Sequence, residues 1–250
     1  IITVSLQKLM DTHKDIGNLL LFISLLDSQY IPRDLLTTYK NDLVVDNFIY
    51  NLKKYSLISI DHTSVSSASQ TFSLHQSTQV ILLNYLRKKL DFKNNKALIH
   101  QISDLYGKTL GEAIDQDDYM KMRSLYHHLV VFLSHPNMLP NKDKAILRSQ
   151  LGYIESYLLK DNVKGKKHLE ESYKLASQCF EEKDPQLGKI IIYLGVVCRR
   201  RGKYERARDL LQKGLIIYRQ HYSEDHPQLK WVLAYLGNTY RILGDAKQAQ

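Results

Sequence analysis

The sequence predicts a mainly α-helical chain, with a small helical unit carrying one β-hairpin followed by a solenoid of helical hairpins. Three observations carry this reading. Blocks of sequence recur 42 residues apart in the C-terminal part, the mark of stacked supersecondary units. Only five prolines and eleven glycines punctuate 250 residues, which favours helix over an all-β chain. Elsewhere, apolar residues recur at three- and four-residue steps, broken by two short runs of strand character.

The repeat is read residue by residue. Pro185-Gln186-Leu187 returns as Pro227-Gln228-Leu229, Leu194-Gly195 as Leu236-Gly237, Arg199 as Arg241, Gly202 as Gly244 and Ala207 as Ala249. Leu151-Gly152 stands 43 residues before Leu194-Gly195, with Gly165 in the small-residue position and Leu169 matching Leu211. Each unit reads as two helices, a first over roughly 187–201 and a second over roughly 205–220. Arg201-Gly202-Lys203-Tyr204 is the turn between them, with glycine where the chain needs a left-handed residue. Ala207, Leu210, Leu211, Leu215 and Tyr218 form the apolar face of the second helix, and Gly195 and Ala207 are small so that the two helices can approach. Asp225-His226-Pro227 closes one unit and opens the next, with proline in a first helical turn.

These residues resemble the tetratricopeptide family. Leu236-Gly237-Asn238-Thr239-Tyr240-Arg241-Ile242-Leu243-Gly244-Asp245 follows its leucine-glycine, tyrosine, glycine pattern. The 42-residue period with Glu224-Asp225-His226-Pro227 is similar to the kinesin-light-chain-like subtype. The unit around Leu151 departs from the pattern, since Glu155 stands in place of an aromatic and the following turn is irregular. The resemblance implies a solenoid over 141–250 whose first helices line a concave face. By the motif's positions Lys189, Ile192, Val196 and Arg199 face it in one unit, and Trp231, Ala234, Asn238 and Arg241 in the next. Those side chains either contact a protein or peptide partner or, in the case of Ile192, Val196 and Trp231, pack between neighbouring helices.

The first ninety residues have a different texture. Ile16, Leu19, Leu20, Ile23 and Leu26 make a helical stripe, and Ile31-Pro32-Arg33-Asp34 starts a short second helix. Residues 43–55 carry Leu43, Phe48, Ile49 and Leu52 on one face. Leu57-Ile58-Ser59-Ile60 and Thr71-Phe72-Ser73-Leu74 read as strands around a polar hairpin loop at 61–70, and a helix over 76–90 follows with Ile81, Leu82, Tyr85, Leu86 and Leu90 apolar. Three helices followed by a two-stranded wing describe a winged helix over 1–92. DNA binding through its third helix is one reading, but Asp42 and Asp46 stand at the helix start, where acid repels phosphate, and this argues against nucleic acid.

Residues 19–27 with Ile31-Pro32, and Phe72-Ser73-Leu74-His75-Gln76, resemble the winged-helix part of NB-ARC-type STAND ATPases, many of which continue into tetratricopeptide repeats. The resemblance implies that His75 faces the β-phosphate of ADP held by an upstream nucleotide-binding domain in cis, with ADP or ATP as the cofactor of the longer protein and none held by this stretch. Gln76 stands where the family has an acid. Without the family, His75 reads as a helix-capping or half-exposed strand-end residue. Ile1 is not a start methionine and the last seven residues begin a helix, so a fragment of a longer protein is expected.

Residues 93–140 read as a helical linker or degenerate repeat, with Leu98, Ile102, Leu105 and Tyr106 on one amphipathic helix and Met122, Leu125, Tyr126, Leu129 and Phe132 on another; Ser134-His135-Pro136 echoes the later linker.

Other chemistry finds no footing. No G-x-x-x-x-G-K-[ST], H-E-x-x-H, paired C-x-x-C or G-x-S-x-G occurs in the sequence. His127 and His128 are adjacent, so on a helix they point about 100° apart and cannot chelate together. Neither a metal site nor an enzyme is expected. Two cysteines suit a reducing, cytoplasmic setting, and no apolar run reaches the roughly eighteen residues of a membrane span. The net charge of +9 raises the odds of an anionic partner without naming one. In the run Arg199-Arg200-Arg201-Gly202-Lys203, Glu205 and Asp209 follow closely enough to pair, which favours a solvated helix end over a nucleic-acid site. The expectation is therefore the interaction or sensor region of a nucleotide-switched signalling protein, its repeats binding a partner or holding the upstream ATPase inactive. The alternatives are a stand-alone tetratricopeptide adaptor, and a winged-helix DNA-binding regulator.

Overall fold

In the computed structural model, residues 6–10, 15–61, 70–89, 96–135 and 138–244 are described. The chain divides into two units, one of residues 1–113 with 120–140 and one of 114–119 with 141–250.

The first unit is organised around helix α1 (Ile16–Leu25), which is buried on nearly every side. A helix apolar all round belongs in the middle of a core. Its end is also buried, so its last carbonyls need partners from elsewhere. The Gln79 side-chain amide donates to the carbonyls of Ser24 and Leu26, at 3.3 and 2.6 Å, and His135 Nε2 lies 3.1 Å from the carbonyl of Leu25. His128 Nε2 reaches the carbonyl of Tyr30 at 3.2 Å.

Strand β1 (Ile31–Pro32), helix α2 (Arg33–Thr37), helix α3 (Asp42–Lys54), strands β2 (Ile58–Asp61) and β3 (Thr71–Leu74), and helix α4 (Gln76–Lys89) follow. The sheet is antiparallel in the order β1-β3-β2, with Phe72 opposite both Ile31 and Ile60. Three expectations are corrected here. The expected short second helix starts at Arg33 rather than Ile31, and Ile31-Pro32 is an edge strand, because proline holds the preceding residue extended and tolerates an edge where its missing N–H is not needed. Leu43 is 73% exposed and Val45 takes its place, since 45, 48, 49 and 52 form one helical stripe. Ile81 is exposed, leaving Leu82 and Leu86 to fix α4. Leu90, the hairpin tip at 62–69, Pro136 and Ala249 lie outside the described residues.

Helices α5 (Lys96–Asp115) and α6 (Tyr119–Ser134) occupy the expected 93–140 segment. Tyr106 is fully buried, donates to the carbonyl of Leu125 at 2.6 Å and sits 5.8 Å from the ring of Phe132.

The second unit contains helices α7 (Asn141–Tyr157), α8 (Asn162–Cys179), α9 (Pro185–Arg200), α10 (Tyr204–Tyr218) and α11 (Pro227–Leu243). α7 pairs with α8 and α9 with α10, while α9 also touches α7, α8 and α11. This is the stacking of an α-solenoid. Ala145, Ala176, Leu187, Ile190, Ile191 and Ile217 form a core between successive hairpins. The repeated turn glycines Gly202 and Gly244 have φ of +72° and +81°, the left-handed region that suits glycine. In the irregular first turn Lys160 takes a φ of +60° instead. Gly152 and Gly165 face each other backbone to backbone, and Gly195 lies against Leu211. Each later hairpin opens with proline behind an N-cap: Asp184 Oδ1 accepts from the Gln186 N–H at 2.8 Å, and His226 Nδ1 from the Gln228 N–H at 3.3 Å. Among the described residues no helix is long and apolar enough to cross a membrane.

Candidate functional site

The repeat unit holds an aromatic groove along the side chains of its first helices. Pairs four residues apart on one helix lie on the same face, so Tyr153 and Tyr157 of α7, Lys189 and Tyr193 of α9, and Trp231 and Tyr235 of α11 project together. Tyr153 lies 4.5 Å from Tyr193 and 6.4 Å from Trp231, measured between ring centroids. Trp231 meets Tyr193 at 6.5 Å and Tyr235 at 4.6 Å, both edge to face. A cavity of about 430 Å³ opens among Tyr153, Tyr193 and Trp231, lined also by Ile192 and by Ile114, Asp115 and Asp117. That volume falls in the range of about 300–1,000 Å³ usual for ligand pockets.

Charge enters the groove in fixed places. Lys189 Nζ contacts both carboxylate oxygens of Asp115, at 3.0 and 2.9 Å, and the Gln228 side-chain amide donates to Asp115 at 2.9 Å. Asp115 ends α5, where the helix dipole disfavours a carboxylate, and these two donors offset that. The Arg199 guanidinium stands over the Tyr235 ring at 5.0 Å, Arg200 over Tyr157 at 4.5 Å and Lys189 over Tyr193 at 5.8 Å. Burial pushes the Tyr153 and Tyr193 hydroxyls far up from their ordinary values, with Asp117 adding to the rise at Tyr153 and Asp115 at Tyr193. Both remain neutral donors. The Tyr193 hydroxyl is buried with no hydrogen-bond partner among the described residues.

The residues expected to face a partner divide by accessibility. Ile192 and Val196 are each 1% exposed. They pack between helices, as β-branched side chains at a close crossing do, and only Ile192 reaches the cavity wall. Lys189 and Trp231 are half-buried cavity residues, while Ala234, Asn238 and Arg241 are exposed, with Arg241 donating to Asn238 at 3.1 Å. The basic run splits. Arg199 and Arg200 turn to groove tyrosines, whereas Arg201 and Lys203 line a separate depression of about 280 Å³ with Lys166, Glu205 and Arg206. Lys166 and Arg206 there both pair with Glu170.

Sequence reasoning passed over Tyr153, Tyr193, Tyr235 and the acids Asp115 and Asp117. Tyr193 and Tyr235 are themselves 42 residues apart, a signal that could have marked them. In the first unit His75 is exposed at the end of β3, its carbonyl accepting from the Gln79 N–H at 3.0 Å. Asp42 and Asp46, at the start of α3, both bind Arg33, at 2.8 and 2.7 Å. Among the described residues no group of three or more His, Cys, Asp or Glu could hold a metal.

The tetratricopeptide-repeat family model matches residues 143–220 and 190–250. No curated protein sequence matches the chain significantly. Among solved structures, the crystal structure of BtubC (BKLC) from P. vanneervenii is similar, at 18% identity over 69% of this chain and 75% of that one, with a TM-score of 0.46.

Proposed function

We propose, from the premise that residues 143–250 are tetratricopeptide repeats, that the aromatic groove of α7, α9 and α11 binds an extended segment of a partner polypeptide. Tetratricopeptide repeats serve protein–protein interaction, and the cavity among Tyr153, Tyr193 and Trp231 supports this groove as the place. Aromatic and arginine side chains in a concave site are the usual anchors of such contacts. Short peptides selected from a random library should bind with an affinity that falls at least about tenfold in Trp231→Ala, the cost of a lost anchor. Arg199→Ala with Arg241→Ala should weaken the same peptides. Binding untouched by all three substitutions would move the site off this groove.

The first unit supports a narrower proposal, that the chain is the winged-helix and sensor part of a nucleotide-switched signalling protein. What favours it is the exposed imidazole of His75 at a strand end, free to donate to a phosphate oxygen. The coding sequence upstream of Ile1 tests it: a P-loop followed by an acidic strand supports the switch, and its lack leaves a stand-alone adaptor. The DNA-binding alternative draws less support, because Arg33 is engaged with Asp42 and Asp46 rather than left to meet phosphate.

A further inference from the structure

The groove's own cations are already placed, and they leave one part of it uncovered. Lys189 is held by both oxygens of Asp115. Arg199 and Arg200 lie over Tyr235 and Tyr157. Among the described residues no cation stands over Trp231 or Tyr153, two of the rings that line the cavity. Trp231 is the single tryptophan of the chain, and indole offers the strongest face for a cation. Asp117 lines the same cavity. Its carboxylate makes no ion pair or hydrogen bond among the described residues, although its backbone is fixed by the bonds of its N–H to Ile114 and of its carbonyl to Tyr119. With Lys189 cancelled by Asp115, the lining is left one negative charge in excess. The buried Tyr193 hydroxyl, unpartnered in the wall, adds a neutral polar contact.

We propose that this cavity takes a lysine or arginine side chain of the bound polypeptide, its charge seated between the Trp231 ring and the Asp117 carboxylate. The inference rests on the groove being the peptide site. It adds the chemistry of the residue that the groove selects. A chain of net charge +9 thereby presents a locally acidic, aromatic pocket to a basic segment, where a free lysine ammonium or guanidinium gains both a ring face and a counter-charge. An acidic segment meets Asp117 instead and finds Lys189 taken.

The test uses the whole chain and labelled peptides drawn from a random library, read by polarisation, with Trp231 emission reporting occupancy of the cavity. The selected peptides are expected to share a lysine or arginine, and exchanging it for glutamine or glutamate should weaken binding by about tenfold or more. Asp117→Asn should weaken the basic peptide several-fold and leave the glutamine version unchanged. Asparagine tolerates the left-handed φ of +53° at this position, so the variant keeps its fold. Selected peptides that lack a basic residue, or an affinity indifferent to Asp117→Asn, would overturn the cation pocket while leaving the groove standing, provided Trp231→Ala still abolishes binding. Failure of every peptide to change Trp231 emission would remove both readings.

Discussion

A Cβ placed on Gly152 would lie 2.6 Å from the carbonyl oxygen of Gly165, and one placed on Gly165 would lie 2.5 Å from the carbonyl oxygen of Gly152. Each glycine is thus required by the backbone of the other helix, which cannot yield as a flexible side chain can. Gly152→Ala is expected to destabilise the repeat unit by about 2–4 kcal/mol, the scale of overpacking against rigid backbone. Gly202→Ala meets open space and only the left-handed backbone cost of about 1–2 kcal/mol. Urea unfolding of the two variants should rank them in that order.

Asp115 and Lys189 should be coupled. Their side chains are partly exposed, at 35% and 20%, so solvent screens the pair. A double-mutant cycle with Asp115→Asn and Lys189→Met is expected to return about 1 kcal/mol of interaction at low salt and less at high salt. A coupling near zero at both would mean that Gln228 alone holds the carboxylate.

The first unit should lose stability in mild acid. Burial holds the imidazoles of His128 and His135 below their ordinary range. The unfolded chain therefore takes up protons first as pH falls through about 6.5. The stability these residues provide is complete above that pH and is lost as pH drops toward their folded values. Melting temperature is expected to fall from about pH 7.5 to about pH 5.5, and His128→Gln with His135→Gln should flatten the slope. His168, which burial also lowers, lies in the second unit and should give that unit a slope of the same sign.

The two thiols should behave differently. Cys198 is 1% exposed and burial raises its pKa, whereas Cys179 is half-buried. A thiol reagent is expected to modify one cysteine in the native chain and the second only on unfolding. Rapid reaction of both would show that α9 opens locally.

Much of the repeat unit was legible because its determinants are local and periodic. Gly202 and Gly244 sit where the turn demands them, and Pro185 and Pro227 where a helix begins. The readings that failed had two causes, a partner far along the chain and a helical stripe taken one step out of phase. Nothing near Ile31 announces that Phe72 will pair with it. Leu43 looked apolar enough to be core, yet the stripe set by Phe48, Ile49 and Leu52 passes through Val45. The groove was half legible. Trp231 and Lys189 follow from the motif's positions, but Asp115 at the end of α5 and Asp117 in the turn after it lie outside the repeats, and no periodicity points to them.

Successive hairpins of the solenoid look interchangeable, but their N-caps give them different chemistry. The cap of α9 is the carboxylate of Asp184, and that of α11 is the bare Nδ1 of His226. A carboxylate offers two oxygens and a negative charge to the unpaired N–H groups of a helix start, whereas an imidazole offers a single ring nitrogen. α9 is therefore held at its start more firmly than α11 is at the end that carries Gln228 and Trp231. Two helices that share a motif would come apart one before the other.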